Sequence, residues 1–423
     1  MEARADAPPE RSLVAADRAT SRFAGWSRLL RHRFGCVLAA STLTVSSLSP
    51  ALAESPDVSN RQACEAPDAA EPLRPRLGHL ARGFNLTGWL DNVTARPPDQ
   101  AVLARLRTRG FTHVRLPVTA ERLMEAFSSG DVVARQLLDL DQALGILLDL
   151  GFAVSLDLHP GDRLGRVHAA DPDRGFELIQ TVWRLLARRY ANRREDRLLF
   201  EVLNEPNVRP GVWNSQGPRL VEAIRREAPG RTLVYGPANY QRIDALLEIT
   251  PLADPNIVYA VHFYDPMIFT HQGLDWSDDP LRYLKGIPFP SRLTDPAIAR
   301  LLDGLALQGR GDAAALVKRQ LAAPWTEERI TTDIARAAAW AERHRRPVII
   351  NEFGVLGWKA APADRARWLR TVRIAAETHC IGWAHWDYAD GFGFVRRVGE
   401  REIPDEAIVD ALLGSRSPAR LPR

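Results

Sequence analysis

Two glutamates, each closing an apolar run, are the residues of this chain best placed to do chemistry. Leu198-Leu199-Phe200-Glu201-Val202-Leu203-Asn204-Glu205-Pro206-Asn207 stops abruptly at Asn-Glu-Pro. Phe200, Val202 and Leu203 suit a strand buried on both faces, as parallel strands are. Pro206 has no amide hydrogen and ends the ladder, which puts Asn204 and Glu205 at the strand's carboxyl end. Pro347-Val348-Ile349-Ile350-Asn351-Glu352-Phe353-Gly354 has the same shape. Two such strands would set two carboxyl groups at one rim of a parallel barrel. Paired carboxyls of that kind can cleave a glycosidic bond.

The elements that would hold them alternate along the chain. Strands are expected over residues 80–86, 113–117, 152–159, the Asn-Glu-Pro run, 232–235, 257–264, the Asn351-Glu352 run and 381–388. Helical periodicity fills 99–109, 133–150, 175–190, 212–227, 327–344 and 405–413. Eight strands alternating with helices predict an α/β fold, a (β/α)8 TIM barrel. One connection is long: residues 265–324, between the sixth strand and its helix, carry Trp276, Tyr283 and Phe289. Residues 295–307 and 312–322 read as helices within it. A loop of that length in a compact domain is usually functional, and its aromatics suit a cleft wall.

Composition narrows the class. The 423 residues are 45% hydrophobic and 26% charged, with a net charge of +4, which fits a soluble globular protein. Residues 1–53 hold seven Arg against four acids, so the remainder is nearly neutral and offers no footprint for nucleic acid. Eleven Trp are notable, because sugar rings dock through apolar C–H faces on flat aromatics.

The amino-terminal stretch reads as an export signal. Arg28, Arg31 and Arg33 precede an apolar run over residues 36–48, too short to span a bilayer, and Ala51-Leu52-Ala53 resembles a cleavage site. The expected division is a signal peptide over 1–53, an extended leader over 54–79, a catalytic domain over 80–414 and a tail over 415–423. Export implies a periplasmic or extracellular protein with no membrane span after cleavage. Cys64 and Cys380 would survive in it and could form a disulfide or stay as free thiols.

Barrel enzymes carry their chemistry at the carboxyl ends of the strands. Here those ends hold Arg115, His159, Asn204, Glu205, His262, Tyr264, Glu352 and Trp386. Singly, each is more often structural; together at one rim they are not. The ordered set Asn204-Glu205-Pro206, His262-Phe263-Tyr264 and Glu352-Phe353-Gly354, with Arg115, His159 and Trp386, resembles glycoside hydrolase family 5, the cellulase family. The resemblance covers residues 80–413.

That resemblance implies a retaining β-glycosidase. Glu205 would be the acid/base and Glu352 the nucleophile, with Arg115 favouring its charge and Tyr264 holding its rotamer. Asn204 would bind the sugar 2-hydroxyl, while His159 and His262 orient hydroxyls and carboxyls. Trp386 would underlie the reacting sugar, and Trp276 would line further subsites. The implied substrate is a β-linked glucan, with endo-β-1,4 cleavage first. β-Mannan, β-1,3-glucan or mixed-linkage glucan, transglycosylation and a non-catalytic polysaccharide-binding barrel are the alternatives. The ending Asp387-Tyr388-Ala389-Asp390-Gly391-Phe392-Gly393 departs from the simpler endings of many cellulases, which leaves room for a glucanase specialised for the cell's own exopolysaccharide. A metal-dependent hydrolase would show His-x-His at the first strand's end; Asn85-Leu86-Thr87 stands there. No metal and no cofactor are therefore expected, and the enzyme is expected to act as a monomer.

Overall fold

The computed structural model describes residues 73–91, 96–194 and 196–415. In chain order, α1 (Arg74–Leu77) leads through a 3-10 turn into β1 (Arg82–Asn85). Then follow α2 (Gln100–Arg109), β2 (His113–Thr119), α3 (Gly130–Asp149), β3 (Ala153–His159), α4 (Asp162–Ala170) and α5 (Pro172–Tyr190). β4 (Leu198–Glu201), α6 (Pro210–Glu227), β5 (Leu233–Tyr235), α7 (Ile243–Leu247) and β6 (Ile257–Phe263) complete the first three-quarters of the barrel. The insertion holds α8 (Met267–Thr270), α9 (Pro296–Leu307) and α10 (Gly311–Gln320). It returns to α11 (Glu327–His344), β7 (Val348–Phe353), α12 (Pro362–Thr378) and β8 (Gly382–His385). A hairpin of β9 (Val395–Val398) and β10 (Arg401–Pro404) precedes α13 (Glu406–Leu413).

β1 to β8 pair in sequence order, all parallel, and β8 closes on β1. The fold is a (β/α)8 barrel. Strands buried on both faces explain the near-continuous apolar runs: every residue of β4, β6 and β7 is buried. Outward residues such as Phe84, Leu156, Phe200 and Tyr259 pack against the helix ring, where Trp183, Trp213 and Trp340 are also buried.

A separate apolar cluster fills the barrel's amino-terminal end. Leu73 and Leu80 meet Leu199, Val234, Val258, Ala260 and Ile349. Residues 74–77, expected as part of an extended leader, are thus helical, and Arg76 ties them to the barrel by donating to the Gly230 carbonyl at 3.1 Å. Sealing one mouth with leucines leaves polar side chains to collect at the other.

Several boundaries differ from expectation. α4, α7, α12 and the β9–β10 hairpin had no counterpart among the elements expected from the sequence. The eighth strand stops at His385, so Asp387 and Tyr388 lie in the loop beyond it. Among the described residues, no helix is long and apolar enough to cross a membrane. Cys380 is disulfide-bonded; Cys64, its expected partner, lies outside the described residues, as do residues 1–53.

Candidate active site

β3 and β4 supply side chains from two levels of the barrel. On β3, Asp157 and His159 are two residues apart and so face the same way. β4 stops at Glu201, but its hydrogen bonding continues: Val202 N donates to Val234 O at 3.0 Å and Asn204 N to Leu158 O at 3.0 Å. Asn204 and Glu205 therefore sit at the rim. Glu205 has a φ of 40°, in the left-handed region, a strain of about 1–3 kcal/mol for a residue with a side chain. Its amide donates to Gln241 Oε1 at 3.0 Å, and Gln241 O accepts from His262 N at 2.9 Å, so this strain is held by the neighbouring strand ends.

β7 reaches the site through an irregularity. Val261 pairs with Ile350, but His262 pairs with Glu352, so Asn351 is an extra residue on β7. Bulges of this kind re-aim side chains. Asn351 donates to Glu201 Oε1 at 2.8 Å while Glu352, the next residue, reaches Arg115.

Arg115, fully buried, is the hub. Its Nη1 donates to Glu352 Oε1 at 2.6 Å and to Asn85 Oδ1 at 2.9 Å. Nε and Nη2 grip Glu201 at 2.8 and 2.7 Å. Nη2 also donates to Asn204 Oδ1 at 2.9 Å and lies 3.0 Å from Asp157 Oδ2. Burial alone would lower the Arg115 pKa, but Asp157, Glu201 and Glu352 more than offset it and keep the guanidinium charged.

The second oxygen of Glu352 accepts from the Tyr264 hydroxyl at 2.9 Å. His262 Nδ1 lies 2.8 Å from Glu205 Oε1 and 3.4 Å from Glu352 Oε2. One oxygen from each glutamate and a ring nitrogen of His262 all lie within 4.8 Å of one another. These three are also the described side chains whose donor atoms converge closely enough to share a metal ion. Opposite them, His159 stacks on Trp386, ring centroids 5.9 Å apart and planes 18° from parallel.

The environment sorts the protons. Burial raises the Glu205 pKa, against the opposing charge of His159 and Arg115. Burial lowers His262 to about 4, so its imidazole is neutral at ordinary pH. Burial raises Tyr264 as well, and Glu352 beside it adds to the shift. Beneath the rim, burial lifts Asp157 to about 7 against the pull of Arg115, and raises Glu201.

The matching family model is that of the cellulases, glycosyl hydrolase family 5, over residues 78–389. The chain belongs to this family. It is accordingly a glycosidase that hydrolyses O-glycosyl compounds. This cellulase-family chain is 29% identical over 364 residues to endoglucanase 3 of Fibrobacter succinogenes, across 80% of its own length and 54% of that protein's. It thus spans about half of that relative. Endoglucanase C of Acetivibrio thermocellus is 27% identical over 322 residues, covering 72% of this chain and 90% of its own. Among solved structures, the cellulose synthase subunit Z of Clostridioides difficile aligns with a TM-score of 0.61 and 25% identity, covering 78% of this chain and 99% of that one.

Eight of the nine side chains singled out in the sequence meet in one group at the rim of this family 5 barrel. Trp276 does not touch them. It stands on the insertion, with its ring 6.4 Å from His271 and 5.9 Å from Trp358. Asn85, Asp157, Glu201, Gln241 and Trp358 were not anticipated. For Asp157 and Glu201 a signal existed: an acid inside an apolar run must face a partner in the barrel interior.

Proposed function

We propose that this chain is a retaining endo-β-1,4-glucanase acting outside the cytoplasm by double displacement. The observation that carries the proposal is the approach of Glu205 and Glu352, with carboxylate oxygens within 4.8 Å across His262. That spacing suits a covalent glycosyl-enzyme; direct attack by water needs the wider gap of inverting enzymes. Glu352, beside Arg115 and Tyr264, would attack the anomeric carbon as a carboxylate while the bond to the leaving oxygen breaks. Glu205, whose pKa is raised by burial, would act as the acid and deliver a proton to that oxygen. Water, deprotonated by Glu205, would then release the sugar from Glu352 and restore both groups. Asn204, held by Arg115, would bind the 2-hydroxyl, and Trp386 with His159 would seat the ring.

The relatives' printed name, endoglucanase, supports the endo and glucan parts of the reading. A second reading rests on the cellulose synthase subunit Z: a glucanase that trims the cell's own exopolysaccharide as it is made. The export signal over 1–53, the leader over 54–79, the catalytic domain over 80–414, a Cys64–Cys380 disulfide and a monomeric state belong to the same proposal.

The test is a panel of neutral cellulose derivative, mixed-linkage glucan, galactomannan and laminarin on residues 54–423, with Glu352→Gln as control. Rapid shortening of the β-1,4-glucan, absent in the control, is expected. Cleavage of mannan or laminarin alone would overturn the linkage, and tight binding without product would overturn catalysis.

A further inference from the structure

β5 is the shortest strand of the barrel, and it stops below the rim. Leu233–Tyr235 pairs with β4 as far as Glu201 and with β6 as far as Tyr259. Glu205 lies four residues beyond Glu201, and His262 three beyond Tyr259. At the level of the rim no strand therefore stands between β4 and β6, although Glu205 Oε1 and His262 Nδ1 meet there at 2.8 Å.

Gln241 fills that gap. Its side-chain oxygen accepts from Glu205 N at 3.0 Å, and its backbone carbonyl accepts from His262 N at 2.9 Å. One residue thus supplies an acceptor to each side, as a longer β5 would. Gln241 is fully buried. Its Oε1 is turned to Glu205, while Nε2, also buried, has no acceptor among the described residues. A stranded donor costs stability. Packing alone would favour an apolar side chain here; what the amide adds is an oxygen on the Glu205 backbone.

The chain distorts to deliver it. Asn239, Tyr240 and Gln241 have φ values of 61°, 57° and 51°, three successive residues in the left-handed region, where a Cβ crowds the backbone. Glu205, at 40°, is a fourth. Seven non-glycine residues among those described have positive φ, and these four come together at one strand gap. The other three, Arg194, Arg345 and Cys380, lie in turns from a helix into a strand, where left-handed residues commonly end helices. Strain gathered in this way persists only where the surroundings hold it, and it clusters at functional sites. Here the surroundings are named side chains. A Cβ on Gly236 would strike the Gln241 side-chain amide, so only glycine leaves it room. The Gly236 carbonyl accepts from Trp213 Nε1 of α6 at 2.9 Å. Arg242, next to Gln241, reaches Asp265 beyond β6 at 2.8 Å.

We infer that Gln241 is a positioning residue for the acid step: it holds Glu205 in its left-handed backbone and so keeps the Glu205 carboxyl on His262, aimed at the leaving oxygen. This rests on the reading of Glu205 as the acid/base. The strain of one left-handed residue and the worth of one hydrogen bond are of the same order. Without Gln241 Oε1, Glu205 can relax to an ordinary backbone, which swings its side chain away from His262. The leaving sugar of a cellooligosaccharide needs the proton of a well-placed acid; a strongly acidic phenol does not.

Wild-type, Gln241→Met, Gln241→Asn and Glu205→Ala proteins would be compared on cellohexaose and on 2,4-dinitrophenyl β-cellobioside, and the crystal structure of Gln241→Met solved. Methionine fills a similar volume with neither the acceptor nor the stranded donor; asparagine withdraws the acceptor by one methylene. Gln241→Met is expected to lose about 10- to 100-fold in kcat/KM on cellohexaose, through kcat with KM within about twofold, but less than about threefold on the aryl glycoside. Gln241→Asn should show the same split in milder form. Equal losses on the two substrates in both variants, or no loss on cellohexaose, overturn the inference. If Glu205→Ala itself slows both substrates alike, or wild type cuts neither, the acid reading fails and the crystal structure decides this one. Glu205 displaced from the left-handed region and from His262 upholds the positioning role; Glu205 unmoved overturns it.

Discussion

Glu201→Gln is the sharpest probe of how the barrel interior holds the site. Glu201 accepts three hydrogen bonds: two from Arg115, at 2.8 and 2.7 Å, and one from Asn351, at 2.8 Å. Glutamine keeps the shape but offers one acceptor oxygen, so its amide must face an Arg115 or Asn351 donor. One charge-assisted bond is lost, about 1.5–3 kcal/mol, and a buried donor is stranded, about 1–3 kcal/mol. The sum, about 3–5 kcal/mol, matches what breaking one side of a buried ion pair costs. It falls toward the lower end because Asp157 and Glu352 still neutralise Arg115. At about 1.4 °C per kcal/mol for a folded unit this large, the melting temperature should drop by about 4–7 °C. Burial raises the Glu201 pKa, so the gap should narrow at acidic pH, where wild-type Glu201 is itself protonated. Arg115 also sets Glu352, so kcat should fall about 10- to 100-fold. Scanning calorimetry and single-substrate kinetics measure both. A melting temperature within 1 °C and kcat within twofold would refute the role of Arg115 as the hub of the site.

Other predictions follow from single contacts. Tyr264→Phe removes the 2.9 Å bond to Glu352 and should lower kcat about 10- to 100-fold with little change in KM; a loss confined to KM would count against it. Glu205→Ala should slow substrates with poor leaving groups far more than activated aryl glycosides and abolish the alkaline fall of kcat/KM, which reflects loss of the proton held by its raised pKa; an unchanged alkaline limb would contradict the acid role. Asp387, buried below Trp386, is raised to about 7, chiefly by burial and then by Asp390. The folded chain keeps this proton up to about pH 7 while the unfolded chain releases it near pH 4. Its contribution is therefore complete below pH 4 and lost as pH rises through 7, by about 4 kcal/mol. Asp387→Asn should flatten the decline of stability between pH 4 and 7; parallel wild-type and variant curves would refute it.

The barrel was legible because strands buried on both faces leave unbroken apolar runs, and their ends are marked where polar residues begin. α11 begins and ends where its periodicity does. α12 was not seen: Arg365 and Arg373 are buried on its inner face, so charge interrupts the apolar stripe. α7 spans one turn, too short for a period, and the β9–β10 hairpin is built from Val-Arg-Arg-Val and Arg-Glu-Ile-Pro, which reads as a charged surface loop. All of the rim residues but Arg115 were visible because they sit at or just past strand ends; Arg115 lies inside β2, which runs on to Thr119 rather than stopping at Pro117. The layer below was legible only as two acids inside apolar runs, not as a network. Asp157 and Glu201 take their meaning from Arg115 across the barrel, and that register is not written locally. The extra residue at Asn351, which turns both Asn351 and Glu352 inward, has no sequence signature, since Ile-Asn-Glu-Phe would alternate in a regular strand. Trp358 sits in a loop whose position depends on two other loops.

The most direct measurement is covalent trapping. A 2-deoxy-2-fluoro β-cellobioside with an activated leaving group would be incubated with the enzyme, and the protein analysed by intact mass and peptide mapping. Glu352, acting as the nucleophile, should be left carrying one glycosyl group on its carboxylate, on the peptide spanning β7. A label on any other residue, or turnover of the natural substrate with inverted anomeric configuration and no adduct, would contradict the double-displacement mechanism.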